Sequence, residues 1–382
     1  MTTRKRIALY YPNFAGGGAE AVGLWILEAL KDDYDLSLFT LTPVDLAKLD
    51  RMYGTQLMGV GVKVQSVCPP PLTGIAKVAI ANSAVGRYIS LHWPLRRLKA
   101  EHADYDLAIS GYNAADLGAP GIQYVHWVGV VDNIVRKQPI YGRIADFDPA
   151  RLLENWSLAN SQFVAERFHK DYGKTARVVY PPVVMDVQDI PWEAKDDAFI
   201  CSGRLVKAKS PHKAIQILSR VRQQGYDVKL HLTGGGGGTY AWQYGRFLRQ
   251  MVARNADWVT LHENLNYRDY VKLLATCRYG IHHKPEPFGI SIAEMVKAGA
   301  IPFVRSRGGQ VEIVGIENEA LFFDGIDQAV EKIVAVLGDR QRLDDLRTQL
   351  TARNQLFSTE RFMTEIRQAV AEFFATPAPV QA

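Results

Sequence analysis

Two glutamates flank the predicted start of a helix in the C-terminal half of this chain. Glu286 lies in a proline-containing loop after an apolar run that ends at His282, and Glu294 lies about one turn inside the helix that begins near Gly289. A helix N-terminus binds phosphate through free amides and a partial positive charge, and carboxylates accept hydrogen bonds from hydroxyls. The spacing therefore fits a ligand that carries both groups. An exposed loop acid and an exposed helix acid explain it equally well.

Two cations follow another predicted strand. Arg204 and Lys209 lie in the run CSGRLVKAKSPH, between a strand predicted over Ala198–Cys201 and the next helix. Two positive side chains at the carboxyl end of a strand suit a pyrophosphate, because charge-assisted hydrogen bonds to its oxygens offset the repulsion between them. Taken alone, this run is better explained as a solvated basic loop.

Composition describes an ordinary globular chain of 382 residues with a formal net charge of +5. The length predicts two domains, and the mild positive charge suits an anionic small ligand or an anionic membrane surface rather than nucleic acid. The three cysteines are too few and too far apart for a disulfide framework or a zinc site, which fits a reducing compartment. Neither a secretory signal nor a membrane-spanning stretch is expected, so we predict a cytoplasmic protein.

Short apolar runs alternate with helical patterns along most of the chain, which predicts parallel sheets with crossover helices. The predicted strands are Arg6–Tyr11, Leu36–Thr40, Val62–Val67, Asp106–Ser110, Ile122–His126, Leu158–Asn160, Arg177–Tyr180, Ala198–Cys201, Val228–Thr233, Trp258–Leu261, Tyr279–His282, Ile301–Val304 and Leu321–Phe323. We therefore expect the α/β class, with two Rossmann-like, doubly wound parallel sheets that face a central cleft. Ligands bind such sheets at the carboxyl ends of the strands.

The alternation lapses once, in a stretch that contains three prolines and several acids. We place a linker there, at residues 184–196, between a first domain over residues 1–183 and a second over residues 197–356. Residues 357–382 are predicted to form a last helix that packs back on the first domain, followed by a frayed end.

Two competing motifs are weaker. Gly16–Ala21 satisfies the dinucleotide fingerprint G-x-G-x-x-A, but the next strand ends in Phe39–Thr42 without the acid that such a site needs. Asp146 and Asp148 form a D-x-D that could bind a metal ion. Because Asp148 precedes Pro149, a pattern typical of a helix start, we prefer to interpret it as a helix cap.

The stretch over residues 77–99 combines arginines and lysines with apolar side chains. Such a helix could dock on anionic lipid, which would make the protein peripheral at the inner membrane face. A half-buried surface helix is the simpler interpretation. Membrane contact therefore remains a hypothesis at this level.

Five runs occur in a fixed order along nearly the whole chain. They are GGGAE at Gly16–Glu20, NSQF at Asn160–Phe163, G-R-L-x-x-x-K at Gly203–Lys209, E-x7-E at Glu286 and Glu294, and GGQVEIV at Gly308–Val314. In this order they resemble the retaining glycosyltransferases of family 4, which have the GT-B fold. The chain departs from that family at His282–Pro285, where many members have a small polar residue, and at the long glycine run Gly234–Gly238.

The resemblance implies roles for the residues of the C-terminal half. Arg204 and Lys209 would hold the donor diphosphate and neutralise the departing nucleotide. Glu294 would bind the ribose hydroxyls and Glu286 the transferred sugar, while the backbone of Phe288, Gly289 and Ile290 would cradle phosphate oxygens.

The resemblance also implies three further contacts with the donor. Gly16, Gly17 and Gly18 would lie near the diphosphate, where absent side chains allow close approach. His126 would face the donor sugar, although a lone histidine of this kind more often belongs to the core or rim. Gly234 would begin a lip near the base, and a loose turn is the alternative.

The activity implied by the resemblance is retaining transfer of a hexose from a UDP- or GDP-sugar to a hydroxyl of a glycan, a lipid-linked or a small-molecule acceptor. No cofactor or divalent metal ion is expected, because Arg204 and Lys209 serve the diphosphate. A nucleotide-sugar epimerase of the same fold and a non-catalytic nucleotide-sugar sensor remain alternatives. The sequence leaves the base, the sugar and the acceptor open.

Overall fold

The computed structural model describes residues 4–14, 17–74, 80, 83–137, 139–235 and 241–376. The chain divides into two compact units. The first unit comprises Met1–Val184 together with Ser358–Ala382, and the second comprises Met185–Phe357. Each unit is built around one parallel β-sheet with helices, as the alternating sequence pattern predicts.

The sheet of the first unit has seven parallel strands in the order β3-β2-β1-β4-β5-β6-β7. The strands are β1 (Arg6–Tyr10), β2 (Asp35–Thr40), β3 (Lys63–Ser66), β4 (Leu107–Ser110), β5 (Ile122–Val125), β6 (Trp156–Ala159) and β7 (Arg177–Val178). The helices are Gly18–Leu30, Leu46–Tyr53, Ala84–Ala100, Asn133–Lys137, Pro139–Ala145, Pro149–Leu152, Gln162–Tyr172 and Thr359–Ala375.

The sheet of the second unit has six parallel strands in the order β10-β9-β8-β11-β12-β13. These strands are β8 (Asp196–Ser202), β9 (Lys229–Gly234), β10 (Val259–Glu263), β11 (Cys277–His282), β12 (Ile301–Arg305) and β13 (Phe322–Phe323). The helices are His212–Gln223, Ala241–Ala253, Tyr267–Thr276, Ile290–Lys297, Gln310–Val314, Ile326–Leu337 and Arg340–Arg353.

Both sheets are doubly wound, which confirms the predicted fold class, and all predicted strands are present with shifts of one or two residues at their ends. In each sheet the chain first adds strands on one side and then crosses to the other side of its first strand. This topological switch lies between β1 and β4 in the first unit and between β8 and β11 in the second. Ligands bind beyond the carboxyl ends of the strands at such a switch.

Apolar side chains on both faces of the sheet form the core of the first unit. The last helix, Thr359–Ala375, belongs to this core, since Phe362, Ile366 and Val370 are buried in the same cluster as residues of helix Gly18–Leu30. The D-x-D motif is indeed a helix cap, because Asp148 accepts a hydrogen bond from the amide of Ala150 at 2.8 Å.

In the described ranges, no helix has the length and the apolar character that crossing a membrane requires.

Candidate functional site

The carboxyl ends of β8 and β11 are adjacent in the second sheet, although the two strands are far apart in sequence. The loop after β8 carries Arg204 and Lys209, and the loop after β11 carries Glu286. The topological switch therefore brings together the cations and the first glutamate that the sequence singles out. This edge of the second sheet is the candidate site.

Glycine at position 234 shapes the loop that carries Arg204. A Cβ atom on Gly234 would lie 1.9 Å from the carbonyl oxygen of Gly203, so no other residue fits there without moving the loop. Two backbone hydrogen bonds join the same two segments. The Gly203 amide donates to the carbonyl oxygen of Thr233 at 3.0 Å, and the Leu205 amide donates to that of Gly235 at 3.1 Å. Gly234 thus supports the loop, and residues 236–240 of the glycine run lie outside the described residues.

Arg204 is exposed, and within the described part of the chain no carboxylate lies at ion-pair distance from it. Its charge is therefore available to an anion. Lys209 ends a short 3-10 turn, Lys207–Lys209, and its Nζ lies 2.5 Å from Oε1 of Glu286. An ammonium group has three N–H donors, so this contact leaves donors for a second partner.

Glu286 is held by two neighbours on the same carboxylate oxygen. Oε1 is 2.5 Å from Lys209 Nζ and 2.9 Å from Nε2 of the buried His282, whereas Oε2 has no partner among the described side chains. Burial alone would raise the pKa of Glu286, but the hydrogen bonds and charges of His282 and Lys209 outweigh it and lower the pKa. The group is an anchored carboxylate with one oxygen free for a ligand, so it is not a solvated surface acid.

The GGQ run packs against the backbone of the Glu286 loop. Gln310 is fully buried and its Oε1 accepts the amide hydrogen of Glu286 at 2.7 Å. Cβ atoms on Gly308 and Gly309 would lie 2.6 Å from the oxygen of Glu286 and 2.3 Å from the oxygen of Pro287. The two glycines therefore let this loop approach closely, and Gln310 fixes its position.

The helix start that the sequence predicts as a phosphate seat is present. Gly289 is the N-cap of helix Ile290–Lys297 with a φ of 110°, in the left-handed region that favours glycine. Phe288 is buried and precedes it. As at every helix N-terminus, the first amides, here from Ile290 onward, lack carbonyl partners within the helix. They directly follow the loop that carries Glu286 and can bind an anion.

Glu294, in contrast, faces a chain of hydroxyl groups. Its Oε2 accepts a hydrogen bond from the hydroxyl of Tyr270 at 2.8 Å. Tyr270 is in turn hydrogen-bonded with Ser202, whose hydroxyl accepts a hydrogen bond from Thr233 at 3.0 Å. Burial raises the pKa of Glu294 to about 7, against the opposing hydrogen bond from Tyr270. Glu294 is therefore a half-buried carboxyl group whose pKa lies close to neutral pH, and it is not an exposed helix acid.

The surroundings of His283 show that this edge of the sheet is electropositive. Burial, followed by the charges of Lys213, Arg305, His212 and His282, lowers the pKa of His283 to about 4. Arg305 already has an acidic partner, Asp324 at 3.6 Å, so part of this positive charge is compensated. The remaining positive charge favours an anionic ligand at this edge.

In the first unit, His126 follows β5 and is held in one orientation. Its amide and that of Trp127 both donate to Oδ1 of the buried Asn113, at 2.9 and 2.7 Å. Its Nε2 lies 3.0 Å from the carbonyl oxygen of Gly111, so Nε2 carries the proton and Nδ1 is left as an acceptor. Burial lowers the pKa of His126 to about 4, against the bond to Gly111, so the ring is neutral.

The glycine loop after β1 is described from Gly17 onward, and Gly16 lies outside the described residues. Gly17 is the N-cap of helix Gly18–Leu30, and a Cβ atom on it would meet nothing within 4 Å. The Gly17 amide donates to the hydroxyl of Tyr53 at 3.1 Å, and that hydroxyl donates to the buried Glu20 at 2.9 Å. The loop is thus fixed at one end, with open space beside its backbone.

Sequence reasoning missed four residues that position these groups: His282, Tyr270, Gln310 and Tyr53. Two of them lie within motifs already recognised, His282 directly before the Glu286 loop and Gln310 in the GGQ run. Burial of a polar residue next to a candidate acid would be the signal, but burial follows only from the fold. Tyr53 and Tyr270 lie in helices remote from their partners in sequence, and no pattern marks them.

A model of one protein family matches part of the chain. Residues 186–355 match the model of the family described as glycosyl transferases group 1. That match spans nearly all of the second unit. No curated protein sequence matches the chain.

Solved structures resemble the chain over almost its whole length. HepE of Anabaena in complex with UDP and glucose has a TM-score of 0.68 at 18% identity, over 97% of this chain and 100% of that one. Sucrose-phosphate synthase of Thermosynechococcus elongatus has a TM-score of 0.70 at 19% identity, with coverage of 97% and 100%. A UDP-forming α,α-trehalose-phosphate synthase of Burkholderia xenovorans has a TM-score of 0.66 at 11% identity, with coverage of 98% and 100%.

The chain therefore has the GT-B fold, with two Rossmann-like parallel sheets, as the sequence resemblance implies. Its second unit matches the group 1 glycosyl transferases.

Proposed function

We propose that this protein is a retaining glycosyltransferase that moves a hexose from a UDP- or GDP-sugar to a hydroxyl acceptor. One observation carries the proposal: Lys209 contacts Glu286 in the loop that leads into helix Ile290–Lys297, and Arg204 and Glu294 lie at the same edge of the sheet, in the loop after β8 and in that helix. Two cations next to two separate carboxylates fit a ligand in which a diphosphate links two sugars, the ribose and the transferred hexose. The family match over residues 186–355 supports this function.

The bound ligands of similar structures support the nature of the donor. HepE is known in complexes with UDP, with UDP and glucose, and with UDP-glucose. We propose a nucleotide sugar as the donor here and keep both uracil and guanine as the base. The acceptor is proposed to be a glycan, a lipid-linked or a small-molecule hydroxyl.

The diphosphate contacts are proposed from the N–H donors of the site. Lys209 uses one N–H for Glu286 and directs others to a phosphate oxygen. Arg204, which has no acidic partner among the described residues, adds a planar fork of donors. The amides of Phe288–Ile290 complete the seat at the helix N-terminus. No divalent metal ion is needed in this scheme, because these groups neutralise the diphosphate.

The proposed chemistry breaks the bond between the anomeric carbon and the diphosphate oxygen, which leaves with the electron pair. The acceptor oxygen attacks the same face of the sugar, and its proton passes to the departing phosphate oxygen. Cations that are already in place stabilise the charge developing on the leaving group, which accelerates the reaction. Glu286 orients the sugar through its free Oε2 and does not form a covalent intermediate.

Donor-binding roles are also proposed for residues of the first unit. The neutral ring of His126 offers Nδ1 as an acceptor for a sugar hydroxyl, because Nε2 donates to Gly111. The backbone of Gly17 and Gly18 is proposed to approach the diphosphate, and the empty space at Gly17 fits that role.

The proposal is tested by thermal unfolding in the presence of UDP, GDP, UDP-glucose and GDP-mannose. Either the two uridine ligands or the two guanosine ligands are expected to raise the midpoint temperature of unfolding, because a ligand at 100 times its Kd stabilises the folded state by about 2.7 kcal/mol. Arg204→Ala is expected to weaken the effect. No shift with any of the four would contradict the proposal.

Product analysis then separates the alternatives. A transferase releases the nucleoside diphosphate and needs an acceptor for full turnover. Conversion of the donor to an epimeric nucleotide sugar would identify an epimerase, and binding without release or transfer would identify a sensor.

Donor binding is expected to depend on the ionisation of Glu294. Its carboxylate accepts ribose hydroxyls best when charged, and its pKa is about 7. Above pH 7 the group is ionised and affinity is full. Below pH 7 binding must displace a proton, so Kd is expected to rise by up to about tenfold per pH unit.

This pH dependence is measured by titrating the protein with an intact nucleotide sugar, because the terminal phosphate of a free nucleotide would itself change its ionisation in this pH range. Glu294→Gln should bind more weakly but without this pH dependence, and identical pH profiles would refute the assignment.

A further inference from the structure

An apolar stripe is exposed on helix Ala84–Ala100 of the first unit. Val85, Ile89 and Trp93 recur every four residues and therefore lie on one face of the helix. Each is between 42% and 52% exposed, whereas Tyr88 and Leu95 on the other side are buried. Of the stretch predicted as a basic amphipathic helix, residues 77–79, 81 and 82 lie outside the described residues.

A second helix extends this surface. Ile140 and Ile144 of helix Pro139–Ala145 are 64% and 55% exposed. Arg96, which lies on the same stripe as Trp93, donates a hydrogen bond to the carbonyl oxygen of Ile144 at 2.9 Å. The rings of Tyr88 and Tyr141 also pack together, with centroids 4.8 Å apart. The exposed apolar residues therefore belong to one surface made by two helices in contact.

The charged side chains of the two helices have one sign. Residues 84–100 and 133–145 include no aspartate or glutamate. Arg96 and Arg143 are exposed on it, and in the described ranges neither forms an ion pair with an acid. Large apolar side chains surrounded by cations are the pattern of helices that lie in the interface of an anionic bilayer.

We propose that the two-helix surface, formed by Val85, Ile89, Trp93, Ile140 and Ile144 with Arg96 and Arg143, docks the first unit on an anionic phospholipid bilayer. The apolar side chains enter the boundary between headgroups and acyl chains, and the arginines contact lipid phosphates. A second copy of the chain fits less well, because two copies of this surface would bring like charges together. The proposal goes beyond the transferase function and does not depend on it.

Vesicle sedimentation tests the proposal with the full-length protein. We expect binding to vesicles that contain phosphatidylglycerol, little binding to pure phosphatidylcholine, and loss of binding as salt is raised. The double variant Ile89→Glu, Trp93→Glu is expected to lower the bound fraction ~10-fold or more, and Arg143→Glu to lower it less. Ile316→Glu, at a residue of the second unit that is 75% exposed, is the matched control and should bind like the wild type.

The outcomes are distinct. Equal binding of the double variant and the control to anionic vesicles would overturn the proposal, as would equal binding to neutral and anionic vesicles. A concentration-dependent dimer that the double variant abolishes, without vesicle binding, would assign the surface to a second copy instead. Thermal midpoints and the nucleotide-induced shift are measured for every variant, so that loss of folding or of the donor site is recognised separately.

Discussion

Lys209→Ala is expected to lower kcat by ~10²-fold or more, because it removes a preorganised cation that is proposed to stabilise the leaving diphosphate. It also leaves Glu286 with His282 as its remaining partner on Oε1. The loss should appear mainly in kcat, since charge on the leaving group grows in the transition state. Steady-state release of the nucleoside diphosphate measures the effect.

Lys207→Ala is the matched control for this experiment. Lys207 lies in the same 3-10 turn and is exposed, and it has no described contact with Glu286. The control should retain turnover close to that of the wild type, whereas Lys209→Arg should retain part of it. Normal turnover of Lys209→Ala would refute the role of this residue in transfer.

Glu286→Ala is expected to abolish most transfer while nucleotide binding survives. The free Oε2 of Glu286 is proposed to orient the sugar, and misplacing a reacting group by about 1 Å can cost ~10²-fold in rate. We therefore expect kcat with the full donor to fall by about that factor. The thermal shift produced by the nucleoside diphosphate alone should be nearly unchanged, because that ligand lacks the sugar.

Two further variants give this prediction its controls. His282→Ala removes the buried ring that holds Oε1, so it should reduce kcat by less than Glu286→Ala does. Glu331→Ala, at an exposed glutamate of the same unit, should have no effect. If Glu286→Ala lost nucleotide binding and transfer equally, the residue would be a structural support of the loop rather than a contact of the sugar.

The fold could be predicted from the sequence because burial on both faces makes parallel strands into short apolar runs. Ala198, Phe199 and Ile200 in β8 or Phe303 and Val304 in β12 are examples, and all are buried. The exact ends of the strands could be predicted less accurately. β6 begins at Trp156, two residues earlier than predicted, because pairing with Ile122 of β5 extends it.

The candidate site could be predicted only in part. The sequence places Arg204, Lys209 and Glu286 after strands, since each follows an apolar run, but it does not show that those strands are neighbours. The adjacency of β8 and β11 depends on a crossover that no local pattern encodes. The contact between Lys209 and Glu286 is a consequence of that crossover.

The environments of the two glutamates could not be predicted at all. Glu286 and Glu294 look alike in sequence, as acids around one helix start. Hydrogen bonds and charges of His282 and Lys209 lower the pKa of the first, and burial raises the pKa of the second to about 7. Such a difference depends on burial and on partners such as His282 and Lys209, which are fixed only when the chain has folded.

The first unit is split in sequence, because Ser358–Ala382 returns to it after the whole of the second unit. On the ribosome, residues 185–357 of the nascent chain therefore emerge as one continuous segment, and they can fold while the first unit still lacks its last helix. Apolar surface around Trp25 and Ile26 is fully buried only after Ile366 and Val370, which belong to the same cluster, have been synthesised. Any event that shortens the chain by its final helix would spare the second unit and expose the interior of the first.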